Sequence, residues 1–237
     1  MPRSRRDRVV ALTQTSKKGK EAKGKLIDEI REQADAFQYL WVFDVEHMRN
    51  NLLQQVRTAW KGSRIFLGRN AVMRKGLGAT PEDECRLGVH KAANMLEGSR
   101  GLLFTNETPD VVTDWFESFK RQDFARTGNT ATETFELPAG PIMINDDTAP
   151  HSLEPQFRKL GMSTSLLKGV PTLNTPHTVC TKGDTLTPNQ VNLLKLFGKT
   201  HATFQIVPLL GIHLTDGSIC GGSEQANVMA EENASEE

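Results

Sequence analysis

The residues best suited to do chemistry in this chain are cations set around a glycine turn. Residues 61–75 read Lys61-Gly62-Ser63-Arg64-Ile65-Phe66-Leu67-Gly68-Arg69-Asn70-Ala71-Val72-Met73-Arg74-Lys75. The run joins a basic strand, a glycine turn and the start of a basic helix. Gly68 lacks a Cβ, so a backbone or a ligand can approach closely there. Backbone N–H groups at the following helix start favour an anion. Arg69, Arg74 and Lys75 can reach phosphates, and Asn70 can bond a sugar hydroxyl or a base edge. By pattern alone, a phosphate-binding turn and an ordinary surface turn with charges fit equally well.

Other chemistry has weaker support. His47, His90, His151, His177, His201 and His213 show no metal-ligand spacing. Asp146-Asp147 sits in a Pro/Thr-rich stretch and reads as a loop. Gly19-Lys20 lacks the full P-loop pattern. Cys85, Cys180 and Cys220 are widely spaced and odd in number. That argues against a disulfide scaffold and a Cys-rich zinc site, and fits a reducing compartment. Cys180 reads as a buried or half-buried strand residue without a context that lowers its pKa. No metal or cofactor is expected, and an enzyme is disfavoured.

The charge pattern returns attention to the cations. The 237 residues carry 29 Lys+Arg and 29 Asp+Glu, but residues 1–75 hold 17 Lys+Arg against 8 Asp+Glu. The amino-terminal part is therefore net +9 and the remainder net −9. Within the first 25 residues, Arg3, Arg5, Arg6, Arg8, Lys17, Lys18, Lys20, Lys23 and Lys25 face only Asp7 and Glu21. Such a split suits one end to a polyanion; the plainer alternative is a solvated helix face. The last residues reverse the sign through Glu224, Glu231, Glu232, Glu236 and Glu237, and 221–237 read as a disordered acidic tail. Hydrophobic residues make up 37%, enough for a core in one large domain or two small ones. No apolar run approaches the ~18 residues of a membrane helix. The charged start lacks the apolar stretch of a secretory signal.

These side chains need elements to position them. From about Lys18 a helix is expected, with Leu26, Ile27, Ile30, Ala34 and Phe37 on one stripe. Its lysine-rich start opposes the helix dipole, a liability that a bound anion would relieve. Tyr39–Phe43 reads as a buried strand. Residues 47–61 return to helical period, with Met48, Leu52, Leu53, Val56 and Trp60 on one arc and Asn50, Arg57 and Lys61 opposite. Arg64–Leu67 is a second strand, then a short basic helix precedes breaks at Gly76 and Gly78. Thr80-Pro81 signals a helix running to about Glu97. Gly101–Thr105 is a third strand, and Thr108-Pro109 opens a helix through Val112, Trp115, Phe116 and Phe119. Alternating strands and helices predict an α/β layer with crossover connections. After Phe124 the texture changes. Thr134–Leu137 alternates like a strand, and Ser152–Lys159 fits a short helix. Thr187 and Gln190 fit a capping box, and residues 204–214 form one long or two short strands. This predicts a second small α/β module inserted in the first. The expected parts are a basic extension over 1–20, a main domain over 21–123 and 204–220, an insert over 124–203 and the tail.

The segment at residues 61–75 resembles the "GKN(T) … RKA" stretch of the large-subunit stalk-base family, called L-ten in bacteria and P-zero in eukaryotes. Met48 through Trp60 resembles the helix before that motif. Glu136-Leu137-Pro138-Ala139-Gly140 is similar to the "VPAG"-like approach to the eukaryotic inserted domain. Leu160-Gly161-Met162-Ser163-Thr164, Gly169-Val170, Lys182-Gly183-Asp184 and residues 193–198 follow that domain's order. Met1–Arg6 with Thr13–Gly19, His151–Pro155 and Val179–Gly183 look closer to a ribosome-assembly branch of the same family.

The resemblance implies a three-layer-type α/β rRNA-binding domain interrupted by the insert. It implies binding to the GTPase-associated region of large-subunit rRNA in pre-60S particles, beside ribosomal protein L-eleven. A phosphatase-like release factor is implied, as is a nucleolar and nuclear location with shuttling to the cytoplasm. The implied RNA contacts are the cations from Arg3 to Lys25 named above, with Asn50, Arg57, Lys61, Arg64, Gly68, Arg69, Asn70, Arg74 and Lys75. Only about twenty residues follow Asp216-Gly217, without an aromatic residue or an amphipathic run. That predicts a placeholder for the stalk-base protein that recruits no small acidic stalk proteins. Two alternatives stay open: the mature stalk-base protein, and a general RNA-binding or mRNA-turnover factor.

Overall fold

The computed structural model describes residues 19–145 and 147–222. Arg3, Arg5, Arg6, Arg8, Lys17, Lys18, Asp146 and the acidic residues from Glu224 onward lie outside the described residues. In chain order the first elements are α1 (Lys20–Ala36), β1 (Tyr39–Glu46), α2 (Asn50–Ala59), β2 (Arg64–Phe66) and α3 (Asn70–Leu77). Next come α4 (Val89–Asn94), β3 (Arg100–Thr105), α5 (Pro109–Ser118) and β4 (Arg121–Asp123). Short strands follow: β5 (Phe135–Leu137), β6 (Gly140–Pro141), β7 (Met143–Ile144) and β8 (Asp147–Thr148). A 3-10 turn (His151–Leu153) leads into α6 (Glu154–Lys159), β9 (Thr164–Leu167), β10 (Val170–Leu173) and β11 (His177–Cys180). The chain ends with α7 (Pro188–Leu196), β12 (Ala202–His213) and β13 (Ile219–Gly222).

These elements form two compact units. The first takes described residues up to 44, 60–109 and 208 onward; the second takes 45–59 and 110–207. In the first, the strand order is β13-β12-β1-β3-β2. Both β1 and β2 pair antiparallel to β3, with Trp41 opposite Leu103 and Ile65 also opposite Leu103. Hence β1 and β2 run the same way with β3 between them, and their crossover passes through α2. The core joins Ile30 of α1, Leu40 and Val42 of β1, Met73 and Leu77 of α3, Leu102 and Phe104 of β3, and Leu210 and Ile212 of β12. Phe66 meets Phe104 edge to face at 5.8 Å, the offset that aromatic quadrupoles favour.

The second unit has its own core, with Phe157, Leu173, Val179, Leu193, Leu194 and Phe197 among its buried members. Phe157 stacks on Phe197 at 5.9 Å. The capping box at Thr187 is present: the Gln190 side chain accepts from the Thr187 N–H at 2.8 Å, and the Thr187 hydroxyl accepts from the Gln190 N–H. Residues 202–204 of β12 pair antiparallel with β4 in this unit.

Several expectations need correction. The helix expected from Thr80 to Glu97 is only α4. Thr80 starts a single turn, closed by the Asp83 N–H on the Thr80 carbonyl. Gly88 then takes φ +76°, outside helical space, so the helix restarts at Val89. The helix expected over 47–61 stops at Ala59, and the Ser63 N–H closes a turn on Trp60. Lys61 thus leaves the arc of Asn50 and Arg57. Gly76 does not break the chain but lies inside α3, which ends at Gly78 with φ +93°. Gly221 and Gly222, expected in the tail, belong to β13.

Two glycines set the sheet's depth. A Cβ on Gly211 would lie 2.9 Å from the buried Trp41 ring, and one on Gly101 would lie 2.7 Å from both Phe43 and Leu67. Gly101 faces Phe43 directly across the β1–β3 ladder. Gly101→Ala therefore overpacks the sheet and should cost about 1–3 kcal/mol, read as a lower urea midpoint; an unchanged midpoint would contradict this packing.

Candidate RNA-binding surface

The candidate site is built from one helix and one turn of the first unit. The apolar stripe of α1 buries Ile30 and Ala34, and the lysines at the start of the helix stay in solvent. Lys20, Lys23 and Lys25 are all exposed there. Gly19 precedes α1 without a side-chain cap, so the cations stand at the positive end of the helix dipole. Lys25 pairs with Glu21 at 3.3 Å, one turn away. Both groups are solvated, so the pair adds little stability.

The β2–α3 turn lies against this helix. Arg69 is the residue before α3, in extended conformation, and its carbonyl accepts from the Val72 and Met73 N–H groups. Small residues permit the close approach. A Cβ on Gly68 would lie 3.1 Å from Leu26 Cδ2, and one on Gly76 would lie 3.3 Å from Ile30 Cγ2. Arg31 donates from Nε to the Gly76 carbonyl at 3.2 Å. The room expected for a ligand at Gly68 is partly filled: Leu26 of α1 takes the space nearest the missing Cβ.

Between helix and turn runs a groove of about 810 Å³, lined by Ala22, Lys23, Lys25, Leu26, Glu29, Leu67, Gly68, Arg69 and Val72. Thus Lys23, Lys25, Gly68 and Arg69, from segments more than 40 positions apart in sequence, share one wall system. The floor is aliphatic and the polar walls carry three cations and one carboxylate. Such a groove can hold an anion with an apolar face attached.

The other candidates are placed differently. Arg64 is exposed on β2, with its guanidinium 5.8 Å from the Phe66 ring centre. Lys61 and Lys75 are exposed. Asn70 donates its amide to the Gly98 carbonyl at 3.0 Å, and Arg74 donates from Nε to the Ala93 carbonyl at 3.1 Å. Both therefore tie α3 to the segment around α4. Asn50 and Arg57 are exposed on one face of α2, in the second unit. Sequence reasoning missed Glu29, Leu26 and Val72 as groove residues. The lysine-rich helix start pointed to this end of α1, but a lone carboxylate among lysines carried no signal of its own.

The family model described as "Ribosomal protein L10" matches residues 18–121, which contain the whole groove. A second model, for the insertion domain of the corresponding 60S ribosomal protein, matches residues 125–198. A protein named ribosome assembly factor mrt4 from Schizosaccharomyces pombe is 48% identical over 226 residues, covering 92% of this chain and 93% of that protein. A protein of the same name from Saccharomyces cerevisiae is 36% identical, covering 87% and 91%. Large ribosomal subunit protein uL10 from Pyrococcus horikoshii is 23% identical over 75% of this chain but 52% of its own length. The fold is thus the mixed α/β fold of L10-type proteins with their insertion domain. The chain belongs to the Mrt4 family of ribosome assembly factors.

His90 Nδ1 lies 2.6 Å from Glu84, and buried His201 lies 3.2 Å from the Thr132 hydroxyl. Among the described residues no group of three or more His, Cys, Asp or Glu is placed to hold a metal ion. Burial raises the thiol pKa of Cys85 and Cys180, and pushes Cys220 to about 11. An ordinary thiol titrates near ~8.5, so folding withdraws thiolate at pH 8. Iodoacetamide at that pH should alkylate Cys220 ~100-fold more slowly in the folded chain than in urea; equal rates would contradict the burial.

Proposed function

We propose that this chain is a trans-acting ribosome biogenesis factor that binds the stalk-base, GTPase-associated region of large-subunit rRNA in the pre-60S particle. It occupies that site as a placeholder for the stalk-base ribosomal protein and leaves before that protein loads. In this reading its neighbours are ribosomal protein L-eleven and a phosphatase-like release factor, and small acidic stalk proteins are not among its partners. It works in the nucleolus and nucleus and shuttles to the cytoplasm on pre-60S particles. It acts by binding and not by catalysis.

One observation carries the reading. Residues 18–121 match a ribosomal L10 model, while the chain aligns with assembly factors along nine-tenths of its length. A chain that shares this domain with a ribosomal protein and uses it in the same way would compete with that protein for one RNA site. The groove supplies the grip: Lys23, Lys25 and Arg69 neutralise phosphates, with Lys20, Lys61, Arg64 and Lys75 exposed in the same unit. The amino-terminal cations from Arg3 to Lys18 add to this charge, and Asn50 and Arg57 on α2 are further candidate contacts. RNA binding falls to residues 21–123 with 204–220, and partner binding to the insert over 124–203. Charge supplies affinity through counterion release, and RNA shape with its 2′-OH groups supplies selectivity.

The test uses the full chain and a stalk-base rRNA fragment. With about six to ten phosphates neutralised, affinity should fall roughly 10³–10⁵-fold from ~50 to ~200 mM salt. Lys23→Ala/Lys25→Ala/Arg69→Ala should flatten the log–log salt slope by about two to three units. Purified stalk-base protein should displace the chain from the fragment. A flat salt response, or simultaneous binding of both proteins, would overturn the reading.

A further inference from the structure

Glu29 is out of place in a groove built only for phosphate. It lines the groove together with Lys23, Lys25 and Arg69, and a carboxylate there repels the very group those cations attract. It is exposed, and it makes no ion pair or hydrogen bond among the described residues. Lys25 sits one turn before it yet bonds Glu21 instead. That choice follows the favoured order of acid before base along a helix. The amide first expected to read a base, Asn70, is spent on Gly98. The groove therefore offers an unspent carboxylate beside the aliphatic side chains of Leu26, Leu67 and Val72.

We infer that the groove takes a single unstacked guanine of the bound RNA, and that Glu29 reads it. This rests on the RNA reading above and specifies its ligand. Proteins read RNA sequence mainly at bases splayed out of loops and bulges, with the base face on a nonpolar surface and its edge hydrogen-bonded. The floor suits a base face, and the three cations suit the flanking phosphates. The carboxylate selects the edge. Guanine is the base whose Watson–Crick edge places two donors side by side, N1–H and the N2 amine. The two carboxylate oxygens accept both at once. Adenine and cytosine set an acceptor next to their one amine, and uracil flanks its one N–H with two carbonyls. Each would turn a lone pair toward Glu29.

The experiment measures binding of the full chain to three seven-nucleotide RNAs, uridines throughout except for a central guanosine, inosine or adenosine. A bidentate contact discriminates by roughly 5- to 150-fold, so the guanosine strand should bind that much more tightly than the adenosine strand. Inosine keeps N1–H and lacks the amine, and should fall between. Glu29→Gln should bring the three affinities together while binding the adenosine strand at least as well as before. A merely structural role would instead weaken all three. Equal binding of the three RNAs by the unaltered chain overturns the base reading. If Lys23→Ala/Lys25→Ala/Arg69→Ala then weakens all of them alike, the RNA surface itself stands. A chain that binds none of the three but still binds the stalk-base rRNA fragment overturns the base reading alone, and one that binds neither overturns both.

Discussion

The contact on which this site depends is the seating of α1 on the β2–α3 turn through residues that lack a Cβ. Leu26 closes on Gly68 and Ile30 on Gly76, both within a few tenths of an ångström of what a larger residue would forbid. Burial of Ile30, Met73 and Leu77 drives that approach. Its electrostatic consequence is unfavourable: a lysine-rich helix start is held beside an arginine-bearing turn. The hydrophobic core thus forces like charges together along the same contact. A polyanion relieves that repulsion, and the free chain carries it as latent affinity.

The same arrangement explains why the site belongs to rigid elements. Each cation at the groove stands on α1 or on the turn clamped between β2 and α3. Asn70 and Arg74 spend hydrogen bonds on carbonyls at Gly98 and Ala93, so they hold the start of α3 in place. Lys23, Lys25 and Arg69 remain exposed to solvent. Under the proposed placeholder role such a grip is suitable: counterion release is strong yet sequence-tolerant, so few contacts need to be specific for a protein to be both held and exchangeable.

Much of this was legible in the chain alone. The i, i+3, i+4 stripe from Leu26 to Phe37 gave α1 its buried face, and the alternation of β-rich runs with helical ones gave the mixed α/β class. The Thr187 capping box needed only local chemistry and is present as written. Failures came where long-range packing decides. Gly76 looks like a breaker in sequence, but against Ile30 it is the residue that lets two helices meet. Thr80-Pro81 has the chemistry of a helix start, yet Gly88 and the backbone bond from Cys85 to Leu77 turn the chain away. Asn70 and Arg74 carry binding-type side chains that the fold consumes internally. Glu29 could not be singled out, because an unpaired carboxylate is defined by which lysine its neighbours choose.

The central claim is that the amino-terminal cations grip one folded region of immature large-subunit RNA. It is tested most directly by crosslinking the chain to RNA in living cells and sequencing what is attached. The account predicts reads concentrated on the GTPase-associated region of pre-60S rRNA, collapsing when Lys23, Lys25 and Arg69 are replaced together by alanine. Reads spread across many RNAs, or a pattern untouched by those replacements, would contradict it.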